Sequence, residues 1–296
     1  MKFLHLVYNM PLYRPPSESL SLILQPTIGC SYNKCSFCEM YKGKNFSIRP
    51  EIELFREIDL LAAFNKDVRR VFFADGNAFV LSTDKLLRLS GYINNAFPKV
   101  HRMSAYALPA DILAKSHEEL TELRDSGINL LYVGIESGDN DVLSMVNKNV
   151  DAETTIKALL RARQAGIKIS AIIVNGLAGS LYSYNHAVNS AKVVNEIQPE
   201  YLSTLVLSLP FGKEKYAGKF GGEFIEMDKK EILREKEIFL SNLELDKTVY
   251  RSDHVSNYVN LRGTLNRDKA RLLKEIRIAH ESPDILEFDY EMRMGF

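Results

Sequence analysis

Three cysteines fall within nine residues, Cys30-Ser-Tyr-Asn-Lys-Cys35-Ser-Phe-Cys38, and the chain holds no others. An odd, tightly clustered set of thiols is not a disulfide framework. Three thiolates on one short loop suit zinc or an iron–sulfur cluster, and three free buried thiols are the plain alternative. A structural zinc wants a fourth protein ligand at regular spacing. No second Cys or His pair follows here, and the next histidine is His101. A four-iron cluster on three thiolates leaves one iron open, and an open iron is a reactive centre.

Other polar residues stand where apolar runs end. Val71-Phe72-Phe73 leads into Ala74-Asp75-Gly76-Asn77, and the next run carries Arg102, Ser104 and Tyr106. Two later runs end in Gly134-Ile135-Glu136-Ser137-Gly138 and Val174-Asn175-Gly176. Taken singly, Asp75, Glu136 or Asn175 is a helix cap or turn former. Taken together, with glycines that admit a close ligand, they point to a binding rim. A rim carboxylate that stays solvated until a ligand arrives should serve binding and not folding, which is the expectation for Asp75 and Glu136.

The elements that must position these residues are legible as alternating strands and helices. Apolar runs at residues 20–25, 70–74, 102–107, 130–135, 168–174 and 201–207 read as strands. They are nearly continuous, as strands covered on both faces are. Helical periodicity fills residues 51–65, 83–96, 118–125, 139–146, 153–165 and 184–197, with Ile52, Phe55, Ile58 and Leu61/Ala62 as the expected inner face of the first. Gly127 and Gly166 stand just past two helix ends as C-caps. Such alternation implies right-handed crossovers and an α/β fold, a partial (β/α)6 TIM-like barrel over residues 1–210, whose function sits at the strand exits. After residue 207 the pattern changes. Residues 212–222 read as a Gly- and Lys-rich loop, and 228–243 and 266–280 as helices, a helical extension over residues 211–296 that covers the barrel mouth.

Composition narrows the class. Lys plus Arg and Asp plus Glu are both 38, so the net charge is zero, which argues against a nucleic-acid partner. No apolar run approaches a membrane span, and the opening segment is too short and too soon interrupted for a secretory signal. A cytoplasmic protein is the expectation. Phosphate-loop, nucleophile-elbow, zinc-protease and dinucleotide fingerprints are absent.

The cysteine loop, with aromatic Phe37 immediately before its last cysteine, resembles the signature loop of the radical S-adenosylmethionine (radical SAM) superfamily. The segment from Ala74 to Asn77 resembles that superfamily's glycine-rich segment. The segment from Val133 to Gly138 resembles the branch containing oxygen-independent coproporphyrinogen oxidases and methylthiotransferases. Four residues separate Cys30 from Cys35, where the commonest form has three. The resemblance implies an enzyme with a [4Fe-4S] cluster on Cys30, Cys35 and Cys38. It would cleave S-adenosylmethionine reductively and start hydrogen abstraction from a small-molecule or modified-residue substrate. It further implies that Asp75 and Gly76 meet the methionine amine, with Asn77 and Ser104 also among the cofactor-binding residues. Glu136 would take the ribose or amine, Phe37 and the Asn175–Gly176 turn flank the adenine, and Arg161 or Arg163 pair with the carboxylate. An electron donor such as flavodoxin or ferredoxin would serve as partner.

The tail offers candidates for substrate. Residues 251–258 hold His254, Asn257 and Tyr258 with little apolar content, and His254 and Tyr258 have accessible acid–base chemistry. They are the expected catalytic pair, although this segment also reads as turns and caps. The rival from another class is a non-catalytic, zinc-stabilised barrel that binds a ligand or partner.

Overall fold

The structure, a computed structural model, describes residues 8–281, so most of the opening segment lies outside it. In chain order the elements are β1 (Leu22–Leu24), β2 (Thr27–Ile28), β3 (Ser47–Ile48), α1 (Glu51–Phe64), β4 (Arg70–Phe73), α2 (Thr83–Ala96), β5 (Arg102–Tyr106), α3 (Pro109–Leu113), α4 (His117–Asp125) and β6 (Ile128–Glu136). There follow α5 (Asn140–Met145), α6 (Ala152–Gln164), β7 (Lys168–Asn175), α7 (Gly179–Ile197), β8 (Tyr201–Val206), α8 (Lys213–Ala217), α9 (Lys229–Ser241), β9 (Thr248–Ser252), β10 (Leu261–Leu265) and α10 (Lys269–Glu281). The main sheet has eight strands in the order β1-β4-β5-β6-β7-β8-β9-β10. The class is α/β, as the alternation implied. Beyond the six expected strands, the tail adds β9, parallel to β8, and β10, antiparallel to β9. The extension is therefore part sheet, not helical alone. Its strands are short and carry Arg251, Arg262 and Gly263 between the apolar positions, which hid their period.

The chain forms two compact units, one of Met1–Asn33, Cys38–Val133 and Ala158–Ile169, the other of Lys34–Phe37, Gly134–Lys157 and Ser170–Phe296. In the first, β1, β4, β5 and β6 pair in parallel. Val71, Phe72, Phe73, Met103 and Leu131 are fully buried, so the near-continuous apolar runs are strands covered on both faces. Helix α1 buries Leu54, Glu57, Ile58 and Ala62, a stripe rotated from the expected one, and Ile52 is exposed. The rotation has a local cause. Arg49 reaches Glu57 Oε2 at 2.7 Å, which permits an acidic residue on the inner face, while Phe55 stacks on Tyr92 at 4.2 Å. Gly127 and Gly166 both have positive φ, 105° and 83°, and end their helices as expected.

A polar knot lies inside this apolar unit. Glu18 is fully buried, and its Oε1 accepts from Arg102 at 2.8 Å, Ser104 Oγ at 3.1 Å and Tyr132 OH at 2.6 Å, while Ser21 donates to Oε2. Burial and the adjacent carboxylate push the Tyr132 hydroxyl far above its ordinary pKa, so it stays a donor. Four donors on one carboxylate offset its desolvation. Removing the carboxylate takes the shared acceptor from Arg102 and three hydroxyls. Glu18→Ala should lower the unfolding free energy by about 3 kcal/mol and Glu18→Gln by less, read from urea midpoints.

In the second unit β7 and β8 pair in parallel over six residues. Ala171 and Leu202 are fully buried, and Ile173 and Val174 nearly so. Helix α7 begins at Gly179, five residues before the periodicity suggested, because Gly179 itself has φ 65° and starts the helix from a left-handed turn.

Candidate functional site

The first unit holds Cys30 and Cys38 with the segment from Asp75 to Asn77, and the arrangement is tight. Asp75 adopts φ 65° immediately after β4, a left-handed residue that turns the chain back. Its carboxylate is fully buried. Oδ2 accepts from the Gly29 backbone N–H at 2.8 Å and from the Lys44 ammonium at 2.9 Å, and Oδ1 accepts from Gln25 at 3.2 Å. Asn77, also fully buried, accepts from the Ser31 backbone N–H at 3.0 Å and donates to Ser31 Oγ and to Asp111 Oδ2, both at 2.8 Å. The residues on either side of Cys30 are thus clamped by the residues on either side of Gly76. Between them Gly76 meets Cys30 directly: a Cβ on Gly76 would lie 2.3 Å from the Cys30 Cβ and 2.8 Å from the Gly29 carbonyl oxygen. Only glycine fits there. The expectation that Asp75 stays solvated fails, because its partners are the loop backbone and Lys44.

Asn33, in the four-residue spacer, has φ 46° and donates from its amide to the Tyr41 carbonyl at 2.8 Å, while its own carbonyl accepts from Lys42 at 2.6 Å. The longer spacer is taken up in this left-handed turn, a conformation asparagine tolerates. Burial pushes the Tyr41 hydroxyl far above its ordinary pKa, with Asp75, Cys38 and Cys30 among the groups adding to the shift. Two other expected residues are committed elsewhere in this unit. Ser104 is fully buried and donates to Glu18. Arg161 donates to the Leu113 carbonyl at 3.3 Å, at the end of α3.

The second unit holds Cys35, Phe37, Glu136 and Asn175. Glu136 has φ 66° and folds its carboxylate back over Gly134, where a Cβ would lie 1.9 Å from Oε1. The Lys148 ammonium meets Oε1 at 3.0 Å, with both side chains largely buried, and lies 5.9 Å from the Phe37 ring centroid. Lys148 reaches that position because α5 ends in a left-handed Asn147 (φ 53°), after which the Lys148 N–H bonds back to the Leu143 carbonyl. The second rim carboxylate is therefore neutralised too, and not solvated as expected. Phe37 packs against Val142, Val146, Val174 and Leu177. Ser36 N–H donates to the Val146 carbonyl at 2.9 Å, and Ser36 Oγ to the Lys219 carbonyl at 2.9 Å, which ties the stretch around Cys35 and Phe37 to α5 and to the loop after α8. Asn175, at the end of β7, is buried and donates to Glu235 Oε1 at 3.1 Å.

None of the three cysteines is in a disulfide, and all are partly exposed. Residues 24–180 match the model of the Radical SAM superfamily, more than half of the chain. The chain belongs to the radical SAM superfamily. It is 28% identical over 127 residues to a heme chaperone, HemW, of Bacillus subtilis, covering 42% of this chain and 34% of that one. A HemW of Buchnera aphidicola is 19% identical over 238 residues, covering 77% of this chain and 60% of its own. The chain thus spans between a third and three fifths of these curated relatives. Among solved structures, coproporphyrinogen III oxidase (HemN) of Escherichia coli superposes with a TM-score of 0.56 at 20% identity, over 75% of this chain and 52% of that one. Methylornithine synthase (PylB) gives 0.54 at 12% identity, over 86% and 68%. These likenesses show the shared fold, the partial TIM-like barrel that the alternation implied.

This superfamily member's residues fit a four-iron cluster in chemistry and in local form. Soft thiolates are the right donors, none is locked in a disulfide, and the Gly76 cradle holds the Cys30 backbone in place. Among the described residues no three His, Cys, Asp or Glu side chains converge on a single ion. A cluster asks for something else, one thiolate for each of three irons.

The tail candidates lie near β8. The Ser256 N–H donates to His254 Nδ1 at 3.2 Å, with Ser256 Oγ 2.8 Å from the same nitrogen, so the proton sits on Nε2. Burial holds the His254 pKa below its ordinary value, so the ring is neutral at pH 7. Tyr258 lies half-buried with the Lys229 ammonium 5.9 Å from its ring centroid. Asn257 is fully buried, donating to the Thr204 carbonyl and accepting from Lys236, so it fastens the segment to β8. The sequence reading missed Lys44, Lys148 and Glu235; none carries a spacing signal, because each reaches its partner only through the tertiary fold.

Two outcomes follow from these contacts. Gly76→Ala should leave the purified chain soluble but reduce iron retained after anaerobic reconstitution to less than about a tenth of wild type, since the added methyl displaces Cys30. Glu136→Gln removes the carboxylate that faces the buried Lys148 ammonium and should cost about 3 kcal/mol in urea unfolding, with Lys148→Met losing a similar amount.

Proposed function

We propose that the chain is a radical SAM enzyme that binds one [4Fe-4S] cluster on Cys30, Cys35 and Cys38. With cluster and S-adenosylmethionine bound, the pair supplies reductive cleavage of a sulfur–carbon bond and a radical that abstracts hydrogen from substrate. The observation that carries this reading is the clamp around Cys30: Asp75, Gly76 and Asn77 leave that cysteine no freedom of backbone position. Each cysteine would hold one iron, and the chain offers no fourth cysteine for the remaining iron, which would be open to S-adenosylmethionine.

The remaining roles belong to this chain's own groups. Asp75 and Lys44 hold the loop and keep its charge balanced. Gly76 offers backbone to the methionine amine. Glu136, oriented by Lys148, takes a ribose hydroxyl or the amine. Phe37 and its apolar neighbours shed water from the adenine side. Neutral His254 offers its Nε2–H to a substrate as a hydrogen-bond donor, and Tyr258 can donate a proton. Residues 211–296 form the part that meets the substrate, a small molecule or modified residue. The electron comes from a soluble donor of the flavodoxin or ferredoxin kind. No helix among the described residues is long and apolar enough to cross a membrane.

The likeness to heme chaperones sets a second reading, in which the same core holds heme for transfer. Anaerobic reconstitution separates them. The enzyme reading expects about four irons and four sulfides per chain, a change in the reduced cluster's electron-spin spectrum on adding S-adenosylmethionine, and release of 5′-deoxyadenosine. Cys30→Ala, Cys35→Ala and Cys38→Ala should each abolish all three. Tight heme binding without cofactor cleavage would favour the chaperone; zinc without iron would favour a non-catalytic binder.

A further inference from the structure

The four strands of the second unit present two unlike faces. Ala171, Leu202, Tyr250 and Leu261, one on each of β7 to β10, are fully buried on the first. Helix α10 closes over that side at β10: a Cβ on Gly263 would lie 2.8 Å from the Asp268 Cβ and 3.1 Å from Arg271 Nη2. Alternate residues of a strand point the opposite way. On that second face Ile172, Ser203 and Val249 are only half-buried, and Arg251 and Arg262 are exposed.

The register brings the two arginines together. Ser203 of β8 pairs with Arg251 of β9, and Arg251 stands directly opposite Arg262 of β10 on the antiparallel ladder. Side chains opposite one another on such a pair lie side by side, and like charges there destabilise the sheet. Asp253 offsets only part of this. Its Oδ2 lies 3.0 Å from Arg262 Nε and 3.8 Å from Arg251 Nη1, and among the described residues it is the only carboxylate paired with either. The three groups sum to one positive charge. The arginine side chains remain 48% and 65% exposed against 14% for Asp253, so the surface offered to solvent is cationic. Protection of a sheet edge explains a charge on β10, which is the last strand. It does not explain Arg251, whose strand is paired on both sides. A local rule broken without structural gain points to function.

We propose that Arg251 and Arg262 form a carboxylate-binding pair that holds the acidic end of the substrate. One net positive charge matches one carboxylate, and guanidinium forks present the paired N–H groups that its two oxygens accept. The level on the sheet sets the reach. From Ser203, beside Arg251, β8 runs on to Val206, which places the pair about 10 Å below the strand exit. Half-buried Leu205 lies between, on the same face. The substrate class is an acid with an apolar stretch of that length between its carboxylate and its reacting carbon. The inference rests on the reading of an enzyme whose substrate meets the tail, and it adds the substrate's charge and reach.

Hexanoate serves as the probe, with hexanamide as its uncharged counterpart and inorganic phosphate as the competing anion. Each is titrated calorimetrically into the reconstituted protein at low ionic strength, where an exposed site is least screened. Wild type should bind hexanoate about tenfold tighter than hexanamide or phosphate. Arg251→Gln and Arg262→Gln should each weaken hexanoate by about fivefold or more. Their melting temperatures should stay close to wild type, because both side chains are exposed. Arg251→Lys keeps the charge without the fork and should retain part of the affinity. Equal affinity for hexanoate and hexanamide, tighter binding of phosphate, or hexanoate affinity unchanged in either glutamine variant would overturn this inference. A wild-type cluster spectrum indifferent to S-adenosylmethionine would sink the enzyme reading instead, and the titrations are read independently of it.

Discussion

The contact between Gly76 and Cys30 governs the rest of the first unit. A thiolate ligand is useful only if its backbone is already in place, because ordering a loop at the moment of metal binding costs conformational entropy. Here the position is set from three sides. Asp75 takes the Gly29 N–H, Asn77 takes the Ser31 N–H, and the missing side chain of Gly76 lets the two backbones touch. The demand propagates outward. Asp75 must adopt a left-handed conformation to aim inward, and the charge it buries must be met by Lys44. Asn77 in turn leans on Asp111, whose pKa burial raises, while Asp111 also caps α3 by accepting from the Leu108 N–H.

Both strand-exit carboxylates share one electrostatic solution. A lysine lies beside each buried carboxylate at close range: Lys44 at 2.9 Å for Asp75 and Lys148 at 3.0 Å for Glu136. The consequence is that neither group is purely a binding or purely a folding residue. A ligand meeting Glu136 meets a carboxylate already oriented by Lys148, and preorganised charge costs no reorganisation when the ligand arrives. The same pairing makes loss of either partner expensive, since the survivor stays buried.

How much of this the sequence displayed depends on the range of each interaction. The six strands were readable because Val71-Phe72-Phe73 and its counterparts are apolar on both faces, a signal contained in a few consecutive residues. The cysteine loop was readable because its spacing is local. The tail strands β9 and β10 were not, since Arg251 and Arg262 interrupt them and their pairing, β9 to β8 and β10 to β9, is the whole reason they are strands. Ser104 shows the converse error. It stands among strand residues on an apparent rim, yet its hydroxyl goes to Glu18, eighty-six residues earlier, a partner that no periodicity announces. The Glu136 contact with Lys148 was hidden for a related reason, because it depends on Asn147 ending α5 in a left-handed turn.

The tail is bound into the second unit by polar groups, and this bears on what it can do. Lys236 is nearly fully buried and donates to Ser252 and Asn257 at 2.7 Å each, and Asn257 donates to the Thr204 carbonyl of β8. On the same helix, one residue earlier, Glu235 turns the other way and takes the N–H of Gly176. Adjacent residues on a helix point about 100° apart, so α9 grips the segment around His254 with one side chain and the β7 exit with the next. A shift of α9 large enough to break one contact would disturb the other. The position of His254 and Tyr258, and the orientation of the Asn175 amide, are therefore mechanically linked through two neighbouring side chains of a single helix.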